Sequence, residues 1–411
     1  MRILDLTRVL AGPFCTQFLA DLGADVIKLE RPGAGDDTRA FGPPFFESKD
    51  GSGSRNASYF LAVNRNKQSI AVDLKRGTEL VKQLASKSDV FIENFTPGVA
   101  DKLGLGYQEI AKVNPRIIYC SISGFGSDSS RAGYDVIASS VAGLLSVTGP
   151  EDGEPCRPGV PVVDIITGMY ASNAILSAII KKQKDGSKAE AVKIEVDLIS
   201  SQISILINLA LNYLNFGVVT PRRGSAHDSI VPYQAFACKK VGPETDWITI
   251  GAGSDSMFHK LIRTLFSDDE AKCEEILRDD RFKRNCDRVE HRSELIGLIQ
   301  GVFRKRTQED WLKRFEGHGF SFGPVNRLDQ VFSDPRIMRR NVMQVKDDKH
   351  SMHLLRNAVT YLNNSGNFLR SDVRLPAQRV GQDTAEVLRS VLGMNEEEIE
   401  QLKSSKVIDC P

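Results

Sequence analysis

A chain of 411 residues is longer than one ordinary hydrophobic core organises, so two domains, or one large domain with an inserted lobe, are expected. Its 54 basic and 53 acidic side chains leave a formal net charge of +1, which excludes a chain-wide field for nucleic acid or an acidic membrane and leaves any anionic ligand to local cations. The seven cysteines are dispersed without a CxxC pair and the six histidines without a ligand pattern, so neither a disulfide framework nor a metal site is expected.

The chain opens on RILDL, an apolar strand pattern, then GPFCTQFLADLG, a helical one, then the strand ADVIKLE. QSIAVDL, a helix from about Gly77, DVFIENF, a further helix and RIIYCSI continue the alternation. Strands alternating with amphipathic helices predict βαβ units and a parallel sheet, an α/β fold. Ligands of such sheets sit at the carboxyl ends of the strands, here residues 7–10, 30–39, 73–75, 94–97 and 121–126.

VVD at 162–164 reads as another short strand, with TGMYASNAILSAIIKK as its helix, which puts Asp164 at a strand end ahead of a helix. An aspartate there is ordinarily an N-cap; it can also be a nucleophile whose surroundings the fold fixes. After the polar turn QKDGSKAEA comes the strand KIEVDLI. The apolar stretch 198–216 carries Ser200, Asn208 and Asn212 among its apolar residues, so it reads as a buried helix and not a membrane span. From about Pro221 the pattern becomes turn-rich, then α+β, and residues 379–406 are again amphipathic. The expected division is a large domain of 1–200 completed by 330–411, and a small α+β domain of 221–329.

TRVLAGPFCT offers one glycine where a dinucleotide fingerprint needs three, and there is no P-loop, G-x-S-x-G elbow or HExxH motif. The carboxylates remain. A carboxylate that attacks a thioester forms a mixed anhydride and expels a thiolate; the thiolate can return to give an enzyme thioester, so the acyl energy is kept. Such a site needs oxyanion donors and a dry cavity. Arg8, Arg31, Lys75 and Lys102 stand at or just after predicted strand ends, with Asn94 beside them, a placement suited to the phosphates of a carrier such as coenzyme A.

LDLTRVLAGPFCTQFLADLGADVIKLERPGAGDDTR, NRNKQSIAVDLK, DVFIENFTPGVADKLGLGY and SISGFG with RAGYDVIASS closely resemble the family III CoA-transferases. The resemblance runs over essentially the whole chain. It implies that Asp164, in PVVDIITG, is the acyl-carrying nucleophile. It also implies CoA contacts from Arg8, Val9, Leu10, Arg31, Leu74, Lys75, Asn94, Phe95, Lys102, Tyr134 and Asp135. CoA thioester would be a substrate, with no permanently bound cofactor and no metal. The family's fold is a Rossmann-like parallel-sheet domain plus a smaller one, in a homodimer of two interlocked ring-shaped chains.

RPGAGDDTRAFGPPF, VTGPEDGEPCRPGV and RRGSAHDSIVPYQAF look most like the branch that moves CoA from succinyl-CoA to glutarate or 3-hydroxymethylglutarate. A dicarboxylate acceptor calls for a cation beyond the reacting carboxylate, for which Arg39, Arg222 and His227 are the candidates, with Ser229 nearby. The formyl-CoA transferase members cover their nucleophile with a tetraglycine loop; the matching segment here is GSAHDSIVPYQAF, so His227 and Ser229 are expected in its place. The first strand begins almost at Met1, so no targeting segment is read and a processed or shortened form is expected; the branch resembled is mitochondrial in animals. Two alternatives stay open. A 2-methylacyl-CoA racemase shares the fold but carries histidine where this chain has Tyr134, a poor base at neutral pH; a CoA-binding protein without activity is the other.

Overall fold

The computed structural model describes residues 1–48, 53–363, 366–367 and 373–410. The chain forms two compact units, one of Met1–Leu144, Pro158–Ala210 and Pro335–Pro411, the other of Leu145–Arg157 and Leu211–Asp334.

The first unit is built on a seven-stranded sheet in the spatial order Ile408–Asp409, Lys67–Val72, Asp25–Glu30, Arg2–Asp5, Val90–Glu93, Ile118–Ser123, Val192–Asp197. The last six are parallel, and Ile408–Asp409 is added antiparallel at the edge beside Lys67–Val72. The chain runs outward from Arg2–Asp5 in one direction, then crosses to Val90–Glu93 on the other side. That reversal makes the carboxyl ends of these two neighbouring strands the crevice where an open α/β sheet binds its ligand.

Successive strand residues point to opposite faces, so Ile3, Val26, Val90 and Ile118 pack with Cys15 and Leu19 of the helix Ala11–Asp21 and with Val163, Ala171 and Ile175. Leu4, Ile27, Phe91 and Tyr119 cover the other face with Val81, Leu84, Val387 and Leu388. Helices thus cover both faces of the sheet, as a parallel sheet requires.

Two expectations are corrected. VVD is not a strand: a single helix runs Val162–Asp185, and its buried residues Val163, Thr167, Ala171, Ile175 and Ala178 recur at helical spacing. Val162–Lys188 has the length and hydropathy to cross a membrane, and its residues Val163, Ala171, Ile175 and Ala178 pack into the sheet core. Residues 198–216 are not one buried helix either. They form Leu198–Ser204 and Ile207–Phe216, broken where Ile207 takes φ 42°, and Leu214 and Phe216 are 74% and 78% exposed.

The second unit holds an antiparallel sheet ordered Ser321–Pro324, Trp247–Gly251, Tyr233–Ala237, packed on an aromatic core of Phe236, Phe303, Trp311 and Phe315. Arg288 is fully buried there; it bonds the Val231 and Phe282 carbonyls and pairs with Asp255.

Candidate active site

Asp164 lies in the first turn of the helix Val162–Asp185, whose preceding residue, Pro161, provides no side-chain cap. The orphan N–H groups of that turn need an acceptor. Asp135, the first residue of the helix Asp135–Val141, supplies it: one of its oxygens accepts from the N–H groups of Val163 (2.8 Å) and Asp164 (3.3 Å). Asp135 is buried and Asp164 partly so. Burial and then the Asp135 charge push the Asp164 carboxyl up to about 7, so the ionised form is more basic and the neutral form persists near neutrality.

Two glycines bring other backbone to this turn. A Cβ on Gly168 would lie 2.5 Å from the Ala11 carbonyl oxygen, so only glycine lets the helix Val162–Asp185 approach the start of Ala11–Asp21. A Cβ on Gly12 would collide with Thr7 at 2.3 Å, so glycine also lets the first helix fold back on the segment after the first strand.

A cavity of about 170 Å³ is lined by Arg8, Val9, Leu10, Asn94, Phe95, Arg131, Tyr134 and Asp164. A larger one of about 570 Å³ is lined by Arg8, Lys28, Arg31, Leu74, Lys75, Asp36, Phe95 and others. Arg8 and Phe95 line both, so the two spaces meet at the crevice of the sheet. There Asn94 clamps Arg8, accepting from its N–H (2.9 Å) and donating to its carbonyl (2.8 Å). The Arg8 guanidinium pairs with Asp37 at 3.0 Å, and Arg31 lies 3.7 Å from the same carboxylate. An apolar space with cations at its rim beside a partly buried carboxylate suits a long carrier with a charged end and a reactive acyl terminus.

Residues 1–384 match the family model described as CoA-transferase family III. The chain belongs to that family. Similar proteins include the human succinyl-CoA:glutarate CoA-transferase, 42% identical over 416 residues that cover 100% of this chain and 89% of that one. The succinate–glutarate CoA-transferase of Agrobacterium fabrum is 40% identical and covers 83% of each chain. Among solved structures, a CAIB/BAIF family protein from Brucella suis aligns with TM-score 0.80 at 36% identity, covering 95% of this chain and 98% of that one. The protein is thus an enzyme that takes CoA thioesters as substrates.

The CoA-transferase brings together most of the residues that the sequence singled out. Arg8, Val9, Leu10, Asn94, Phe95, Tyr134 and Asp164 share the smaller cavity, and Arg31, Leu74 and Lys75 the larger. Lys102 lines neither, although Val99 and Leu103 on either side of it line the larger. Asp135 lines neither and acts beneath the site as the helix cap. Arg39 is not available for a substrate carboxylate: it is buried, bonds Glu30 through two nitrogens, bonds Asn56 and the Ala377 carbonyl through the third, and stacks on Phe60. In the second unit Arg222 bonds the carbonyls of Pro150 and Gly153, the His227 ring accepts from the Ser229 N–H, and the Ser229 carbonyl accepts from Asn285; these hold a turn-rich loop.

Sequence reasoning missed Arg131, which lines the smaller cavity with its guanidinium 4.3 Å from the Phe125 ring centroid. Its signal was present: SSRAGYD follows the strand Ile118–Ser123, whose carboxyl end was already marked as a ligand position. It also missed Asp135 as the cap of a helix 28 residues on, a tertiary pairing with no local pattern.

Proposed function

We propose that the enzyme moves CoA from succinyl-CoA to glutarate, or to a related dicarboxylate such as 3-hydroxymethylglutarate, with Asp164 as the acyl carrier. The observation that carries this reading is the basic, partly buried Asp164 carboxylate on the wall of the smaller cavity, adjoining the larger one through Arg8 and Phe95. The larger cavity is assigned to the carrier, with Arg31 and Lys75 available to its phosphates. The acids are supported by the relatives, named as succinyl-CoA:glutarate and succinate–glutarate CoA-transferases. A second carboxylate is further supported by Arg131 in the reacting cavity, since Arg8 already pairs with Asp37.

The steps balance without an outside co-reactant. The Asp164 carboxylate attacks the thioester carbon, giving a succinyl–aspartyl anhydride and CoA thiolate. The thiolate attacks the aspartyl carbonyl, which releases succinate and leaves an aspartyl-CoA thioester. The acceptor carboxylate attacks that carbonyl and expels the thiolate, which then takes the acceptor acyl group and frees Asp164.

The test is product analysis with succinyl-CoA and a panel of acids. Glutaryl-CoA and succinate in equal amounts are expected, with far slower transfer to a monocarboxylate of the same length. Deuterium uptake from solvent at Cα of an acyl-CoA, without CoA transfer, would overturn the reading in favour of racemisation.

A homodimer belongs to this proposal. Val136, Ile137 and Val141 of one helix and Met169 and Tyr170 of the nucleophile helix are exposed apolar side chains in the first unit, and a second copy of the chain is the covering surface. A mitochondrial location follows from the animal branch that the motifs resemble.

A further inference from the structure

The segment between the first strand and the first helix carries its backbone hydrogen bonds in an unusual way. The Thr7 N–H donates to Asp5 (2.9 Å), the Thr7 carbonyl accepts from Lys28 Nζ (2.8 Å), the Arg8 N–H and carbonyl bond Asn94, and the Val9 N–H donates to Asp36 (3.3 Å). Consecutive main-chain groups from Thr7 to Val9 are thus held by four side chains. Val9 meanwhile has φ 68°, the left-handed region that a β-branched residue very seldom adopts. Such a backbone persists only where its surroundings over-determine it.

Those surroundings are ionic and buried. Lys28 Nζ lies 2.8 Å from Asp36 Oδ2, and both side chains are at most 2% exposed. Asp36 is fixed in turn: its other oxygen takes the N–H and hydroxyl of Thr38, and its own N–H donates to Glu30. A buried ion pair is seldom retained for stability, because apolar residues of the same volume usually serve as well. What this pair does that an apolar pair cannot is bond the Thr7 carbonyl with one partner and the Val9 N–H with the other.

We propose that Lys28 and Asp36 are positioning residues for acyl transfer, holding Val9 left-handed so that residues 8–10 form a rigid wall of the cavity that contains Asp164. Arg8 lines both cavities, Val9 and Leu10 line the one that contains Asp164, and Lys28 and Asp36 lie at the wall of the other. The charges themselves touch neither the reacting carbon nor the nucleophile; they act through the backbone on either side of Arg8, at Thr7 and Val9. This inference rests on the acyl-carrier reading of Asp164.

Rapid-quench measurement of covalent adduct formation from succinyl-CoA, with CoA affinity by calorimetry and Tm alongside, separates positioning from a merely structural role. The wild-type adduct is measured first and tests the carrier reading by itself. Val9→Gly keeps the left-handed backbone accessible but frees it. It is expected to slow adduct formation at least tenfold, with CoA affinity within threefold of wild type and no fall in Tm. Val9→Asn, which tolerates the same backbone with less freedom, loses less. The paired replacement Lys28→Met with Asp36→Leu removes the clamp and leaves no unpaired charge, and is expected to match Val9→Gly in rate. Adduct formation at the wild-type rate in Val9→Gly overturns the proposal, as does a rate loss in that variant matched by equal losses of CoA affinity and Tm. Val9→Gly decides the matter even where the paired variant fails to fold.

Discussion

The first unit buries Asp5, Lys28, Glu30, Asp36, Arg39 and Lys67 around the central strands of its sheet, whereas the second fills its centre with Phe236, Phe303, Trp311 and Phe315, buries the single charged side chain Arg288 among its described residues, and keeps pairs such as Arg281–Asp279 and Arg306–Asp268 at the surface. Burial of aromatic rings stabilises a fold without dictating the path of a loop. Buried ion pairs contribute little net stability but fix backbone direction, because each partner must be bonded. The unit that carries Asp164 is built the second way. Two buried lysines there titrate in opposite directions: burial alone would lower Lys28, but the charges of Asp36, Asp5 and Glu30 outweigh it and hold Lys28 above the ordinary lysine range, while burial brings Lys67 down to about 8.

The comparison is broken most severely at Asp164. Asp164→Ala is expected to lower kcat by about four orders of magnitude or more with no loss of Tm, read by steady-state transfer and thermal melts. Next in size are the two cores. Trp311→Ala in the second unit should cost about 3–5 kcal/mol of stability by denaturant titration, the loss of a large, fully buried side chain. Arg39→Ala in the first should cost a similar ~3–5 kcal/mol because Glu30 is left unpaired, yet Arg39→Met combined with Glu30→Leu should recover most of it. No such rescue exists for Trp311, and its appearance there would erase the distinction between the units.

A smaller effect follows from the raised Asp164 carboxyl. Between the ordinary 3.8 and about 7 the folded protein holds a proton that the unfolded chain has lost, so stability falls as pH rises through that window. Above it, Asp164→Asn should therefore be more stable than wild type, by about 1–3 kcal/mol after allowance for solvent reaching the cavity, and the gain should vanish at pH 3. On the acyl-carrier proposal only the ionised form attacks, so the first acyl step at pH 6 should run at about a tenth of its plateau. Smallest of all, Lys313→Ala, which removes an exposed i,i+4 partner of Glu309, should leave Tm unchanged within error.

The strands and the crevice were legible because β-branched runs alternate with amphipathic ones and strand ends carry Arg8, Arg31, Lys75 and Asn94. Asp164 was marked at a strand end, whereas it lines the smaller cavity from the first turn of a helix. The β-branched VVD suggests a strand, but Asp135 caps that stretch as the first turn of a helix, and nothing local announces such a partner. Arg39 was legible as a cation near the site, and only the fold reveals that Glu30 and Asn56 occupy it. Lys28 and Lys67 lie inside strand patterns and gave no sign that their charges meet beneath the site.

The central claim, that Asp164 carries the acyl group, is tested most directly by peptide mass spectrometry after incubation with succinyl-CoA and quenching with hydroxylamine. The account predicts a hydroxamate on Asp164 in the wild type and none in Asp164→Asn. Turnover with no modified residue, or a hydroxamate on a different carboxylate, would contradict it.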